Sequence, residues 1–292
     1  MTPESPALQA LFLPAPSGQR FCLLHLPSAL PVQALVVYVH PFAEEMNKAR
    51  RMAALQARAL AQAGHAVLQI DLRGCGDSSG EFVDASWSDW IDDVRLACDW
   101  LRARHPGLPL WLWGLRAGGL VATQAAAALP SHCHFLFWAP TPSGKTVLQQ
   151  FLRLKSAAAL LDGNAKGVTE GLRQELAAGR PVEIAGYGVA AALAQGLEQA
   201  TLAPPPLDAP ADATVPRVVW FEVSTQDGAT LSPVAQRALA QWQGAGYAVH
   251  ADVVRGPQFW QTTEIEDAPA LLDATLAALR APAAEPREVP AP

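Results

Sequence analysis

The sequence predicts an α/β protein: a mostly parallel sheet of about eight strands, helices on both faces, and a helical cap inserted after the sixth strand. Three observations predict it. Short continuous apolar runs recur, such as ALVVYVH (34–40), LPLWLWG (108–114) and HFLFWAP (134–140), as in strands covered on both faces. Helical patterns separate them, which implies parallel pairing through right-handed crossovers. The alternation breaks once, between residues 141 and 213, and then resumes.

LQALFLP (8–14) and RFCLLHLP (20–27) flank the turn-prone PAPSGQ and read as an opening hairpin. After the third strand, MNKARRMAALQARALAQA (46–63) is rich in helix formers and stops at Gly64. HAVLQIDL (65–72) is the fourth strand. SWSDWIDDVRLACDWLRARH (86–105) is a helix with Ser86 or Ser88 as cap, acids early and bases late, the charge order that suits its dipole. A strand at 108–114 runs into a small-residue helix, AGGLVATQAAAAL, and HFLFWAP follows. The cap comprises VLQQFLRLKSAAALL, EGLRQELAAG and VAAALAQGLEQATL, and ends in the linker-like LAPPPLDAPADATVP. RVVWFEVS (217–224), PVAQRALAQWQGAG, YAVHADVV (247–254) and DAPALLDATLAALR complete the alternation. The domain reading is a core over 1–140, the cap and linker over 141–213, the rest of the core over 214–280, and a disordered tail over 281–292.

Composition narrows the function classes. The chain has 292 residues, half of them hydrophobic, so it can bury a large core. Its net charge of −6 argues against a broad basic surface for nucleic acid. No apolar run approaches the roughly 18 residues that span a bilayer. The start, MTPESPALQA, lacks the basic and apolar segments of a signal peptide. Cys22, Cys75, Cys98 and Cys133 form no CxxC and no metal-ligand spacing, and read as reduced packing residues. Cytoplasmic residence without a metal or cofactor is the expectation.

The ligand should lie at the carboxyl ends of the strands, where the loops converge. Four landmarks fall there in order: VVYVHPFAEE, IDLRGCGDSSG, WGLRAGG and STQDGATLSP. Together they resemble the α/β-hydrolase superfamily over nearly the whole chain, as its oxyanion segment, its D-x-R-G-x-G-x-S stretch, its nucleophile elbow and its triad-acid loop. HPFAEEMNKARRM, SGKTVLQQFLRLK, EIAGYG and FWQTTEIEDAP narrow the resemblance to the "exosortase A system-associated hydrolase 2" branch. It implies partner proteins of exopolysaccharide biosynthesis.

The departures from the superfamily pattern carry the functional reading. Arg116 stands at the elbow where a serine would, and a guanidinium stays protonated and cannot act as nucleophile. Phe259 or Trp260 stands where the triad histidine would. Asp227 matches the acid, and Pro41 replaces a glycine whose N–H would donate to an oxyanion. Arg116, with the helix N-terminus at Ala117, forms a candidate anion site. It would take a small anionic ligand bearing an acyl, sugar or phosphate group, with Lys145 as second cation and Phe259 and Trp260 as aromatic wall. Against that stands an internal ion pair with Glu44, Glu45, Asp71 or Asp227. Candidates for acid–base work are His40, Glu44 and Asp227. Two functions remain open: an enzyme with unusual machinery, or a ligand-binding or scaffold protein that has lost catalysis.

Overall fold

In the computed structural model, residues 7–161, 167–207 and 215–280 are described. The tail expected to be disordered, and most of the acidic part of the proline-rich linker, lie outside them. Eight strands form the main sheet: β1 (Ala7–Ala15), β2 (Gly18–Leu26), β3 (Ala34–Val39), β4 (His65–Ile70), β5 (Leu110–Leu115), β6 (His134–Trp138), and after the cap β9 (Arg217–Ser224) and β10 (Ala248–Arg255). The spatial order is β1-β2-β4-β3-β5-β6-β9-β10. The β1–β2 hairpin joins β4 antiparallel, and every other neighbouring pair is parallel.

Alternate residues of the central strands feed two cores. One face carries Val36, Trp113 and Trp138 and is covered by α1 (Glu44–Gln62) and α8 (Pro269–Arg280). The other carries Val37, Leu112 and Phe137 beneath α2 (Trp87–Arg104), α3 (Gly118–Ala126) and α7 (Pro233–Gly244). β3 and β5 are buried along their whole length, as continuous apolar runs require. Ser86, of the two expected candidates, caps α2 by accepting from the Asp89 N–H, and the Asp89 carboxylate returns the bond. Such a box is worth about 1 kcal/mol. α1 begins at Glu44, two residues earlier than the sequence suggested, so Glu44 and Glu45 lie in its first turn.

Between β6 and β9 lies the cap: α4 (Gly144–Leu161), α5 (Val168–Ala177), a small antiparallel hairpin of β7 (Val182–Ile184) and β8 (Tyr187–Val189), and α6 (Ala191–Gln199). The hairpin was not anticipated. Its strands have three residues each and are joined by Ala185 and Gly186, both at positive φ. Gly144 fixes the cap's first helix to its last, because a Cβ there would stand 1.8 Å from the Leu197 carbonyl oxygen.

Candidate functional site

Parallel register brings the ends of β3, β5, β6 and β9 into one row. Val39 pairs with Gly114, Leu115 with Trp138, and Trp138 with Phe221. The turn from β5 into α3 is tight because its glycines permit close backbone approach. A Cβ on Gly118 would lie 2.2 Å from the Val39 carbonyl oxygen, and one on Gly114 would lie 2.5 Å from Gly119 Cα. Arg116 occupies the apex with φ of 53°. Its N–H is held by the Trp138 carbonyl at 3.0 Å.

Backbone strain gathers here. Among the described residues, four non-glycine residues have positive φ, and three of them are Ala43, Arg116 and Ala139. Ala43 precedes α1, and Ala139 follows β6 and accepts from Arg116 Nη1 at 3.5 Å. Each such conformation costs on the order of 1–3 kcal/mol, and it persists where the surroundings impose it, as at ligand sites.

The Arg116 side chain is paired. Its Nε donates to Glu45 Oε1 at 3.2 Å, with both side chains about 15% exposed. Of the four acids the sequence offered as partners, Glu45 is the one engaged. The guanidinium carbon also lies 5.5 Å from the centre of the Trp260 ring, a cation–π contact. Burial pushes the Glu45 carboxyl above the usual carboxylate range, and Arg116 opposes that rise. Burial raises Glu44 in the same way, and one of its oxygens is buried with no hydrogen-bond partner among the described residues.

Two cavities flank this pair. The first, of about 350 Å³, lies between α1 and α4 and is lined by Phe42, Glu44, Glu45 and Lys48 from α1 and the loop before it, and by Phe151 and Leu154 from α4. The second, of about 590 Å³, is the more polar; Arg116, Glu222, Gln226, Asp227 and Gln258 line it. Trp260 lines both. It is 2% exposed, and its indole N–H has no hydrogen-bond partner among the described residues. Glu222 shapes the second cavity by accepting from both the N–H and the hydroxyl of Ser232, which caps α7 and closes the loop carrying Asp227.

Arg116, His40 and Lys145 do not line one cavity. His40 lies in a separate cavity of about 180 Å³ with Tyr38 and Asp71. Its Nδ1–H donates to the Pro41 carbonyl at 2.8 Å and its Nε2 accepts from the Leu72 N–H at 3.3 Å. That pattern fixes the neutral tautomer, and burial holds its pKa below the ordinary histidine value. It shapes two loops and offers no free nitrogen for proton transfer. Lys145 is exposed at the start of α4 and lines neither cavity beside Arg116. Ala117 is buried and caps α3. Phe259 is core, packed edge-on against Trp138 and against the Trp260 ring 5.0 Å away, and lines neither cavity. Asp227 lines the second cavity, but its carboxylate faces Arg255 at 3.1 Å in an exposed ion pair.

None of the chain's seven histidines lines either cavity beside Arg116. His250 is exposed on β10 against Phe221. Ser224, the serine in the second cavity, accepts from the Gln226 N–H. Acidic side chains outnumber basic ones around the two cavities: Glu44, Glu45, Glu222 and Asp227 against Arg116 and Lys48. In place of the cation-rich cleft that the sequence suggested, the two cavities are rich in acids, and Arg116 is already paired. Sequence reasoning missed Gln261, Gln258 and the α4 wall of Val147, Phe151 and Leu154, whose roles depend on how the cap folds back. Among the described residues no helix is long and apolar enough to cross a membrane.

The comparisons with known proteins agree with this fold. A family model described as serine aminopeptidase, S33 matches residues 31–170. Human protein ABHD12B is 34% identical over 32% of this chain and 25% of its own length. Human monoglyceride lipase is 31% identical over 45% of this chain and 43% of its own length, so the chain spans less than half of either human relative. The structure of Est1E from Butyrivibrio proteoclasticus with ferulic acid bound superposes with a TM-score of 0.62 at 13% identity, over 92% of this chain and 98% of that one. Strand order, elbow, cap position and these likenesses show that the chain has the α/β-hydrolase fold.

Proposed function

We propose that this chain uses the hydrolase fold to bind a small molecule bearing an acyl or sugar group, and that it does not cleave its ligand through a serine. The observation that carries this is Arg116 at the elbow, tied to Glu45 and stacked on Trp260. A covalent mechanism requires a nucleophile whose proton a neighbouring base removes. The elbow holds a permanently charged guanidinium instead, and His40 is committed to backbone partners on both ring nitrogens. The two cavities and the strained backbone around them support a ligand site that outlasted the triad. The motifs shared with the exosortase A system-associated branch favour a ligand and partner proteins from bacterial exopolysaccharide synthesis. Four free, buried cysteines fit cytoplasmic residence.

The test pairs binding with turnover. Titration with acyl and glycosyl esters of graded chain length should give saturable binding, while the same esters survive prolonged incubation. Ester cleavage at a rate that rises with purified protein would overturn the proposal.

A further inference from the structure

Arg116 is under-used by its present partner. Glu45 engages it through one oxygen on Nε, while Nη1 reaches the Ala139 carbonyl at the limit of hydrogen-bond distance, 3.5 Å. A guanidinium binds carboxylates best through two parallel bonds. Beside Glu45 lies the cavity of about 350 Å³ whose apolar lining is Phe42, Val147, Phe151 and Leu154. At the same junction the buried Trp260 indole N–H lacks an acceptor among the described residues. The room, the apolar wall and a spare donor all adjoin one monodentate ion pair. We propose that Glu45 stands in for the carboxylate of a ligand acid, and that a carboxylic acid with an apolar tail binds here by taking Glu45's place on Arg116. This rests on the binding role proposed above and names the chemical class of the ligand.

The exchange leaves Arg116 neutralised throughout, so its cost falls on the displaced Glu45. The charged or polar groups facing Glu45 are Glu44 and Lys48 from α1, Arg116 from the elbow, Gln261 from the loop after β10, and Gln150 from α4. With Arg116 occupied by the ligand, Lys48 is the remaining base, and its ammonium is on the Gln261 carbonyl at 3.4 Å. Glu44, of like charge and next in sequence, opposes a second free carboxylate. Glu45 therefore leaves as the neutral acid and takes its proton from solvent. Ligand binding and proton uptake are one event: the acid arrives as an anion, and Glu45 becomes COOH. The strain at Ala43, immediately before the helix turn that carries Glu45, marks the segment that moves.

Isothermal titration of the full chain with sodium decanoate, in two buffers of different ionisation heat, tests the exchange. The wild type should bind decanoate with net proton uptake, the sign that linkage gives when Glu45 leaves Arg116 as the acid. Glu45→Gln removes the internal competitor. It should bind decanoate about tenfold more tightly at neutral pH, a gain of about 1.4 kcal/mol, with no proton uptake. Decanol should show no such gain. The double variant Glu45→Gln/Arg116→Gln keeps a neutral pair and should lose the preference for decanoate over decanol. Decanoate affinity unchanged or weakened in a folded Glu45→Gln protein would overturn the exchange, as would proton uptake that persists in that variant or failure of every variant to bind decanoate. Cleavage of p-nitrophenyl decanoate by the wild type would overturn the binding role instead, whatever Glu45→Gln does.

Discussion

Arg116 and Glu45 meet at 3.2 Å, and each lines a different cavity, so the ion pair forms part of the wall between them. The pair occupies the loop cluster where the superfamily resemblance leads one to expect a hydroxyl nucleophile. Its energetics follow from burial. Two largely desolvated charges stabilise the protein little as a pair, but removing one strands the other.

Arg116→Ala should therefore destabilise the protein by roughly 2–3 kcal/mol, somewhat less than the 3–5 kcal/mol typical of fully buried pairs. Glu45→Gln/Arg116→Gln should recover most of that loss. Urea denaturation of the three proteins measures both; equal stability of wild type and Arg116→Ala would contradict the pairing.

Restoring a serine should not restore chemistry. Arg116→Ser places a hydroxyl at the elbow, but His40 has both ring nitrogens committed and His250 lies exposed on β10. Without a base to take its proton the hydroxyl stays inert. Esterase assays on this variant should read at background, and robust turnover would refute the placement of the histidines.

The cap depends on one close approach. Gly144→Ala puts a methyl 1.8 Å from the Leu197 carbonyl oxygen, which α6 cannot relieve without moving. The variant should keep the core and loosen the cap, seen as faster limited proteolysis within residues 144–199. Wild-type protease resistance would show that the α4–α6 contact does not hold the cap.

Stability should fall as pH drops below about 6.5. Burial holds the pKa values of His25, His40, His65 and His134 below the ordinary histidine value, His134 at about 4. The unfolded chain therefore binds more protons than the folded one through this window, which favours unfolding as pH falls. Glu44, Glu45 and Asp93, raised by burial, carry the opposite sign and moderate the loss toward the acid end. His134→Asn keeps an acceptor for the Arg217 N–H and removes one of these histidine contributions. Its denaturation midpoint should vary less between about pH 7 and pH 5 than that of the wild type.

The framework was legible because the central strands are continuous apolar runs and α1 and α2 have a stop and a cap written locally, at Gly64 and Ser86. The elbow was legible because glycines at 114, 118 and 119 serve backbone approach and leave the apex residue exposed as an anomaly. The partner of Arg116 was not, since Glu45 is 71 positions away and three other acids had equal claim. Nor was the commitment of His40, which turns on the carbonyl of its own neighbour and an N–H from the next strand's loop. Phe259 and Trp260 are equal candidates in the sequence, yet they sit in one turn after β10 with their rings 5.0 Å apart, and of the two Trp260 alone lines the cavities. The cap's hairpin escaped notice because three-residue strands leave too short an alternation to read.

The central claim is that no activated serine exists at this elbow. Intact-mass measurement after prolonged exposure to a fluorophosphonate, which phosphonylates any serine that a neighbouring base has activated, tests it directly. The mass should remain that of the unmodified chain; stoichiometric addition of one phosphonyl group to a serine would contradict the account.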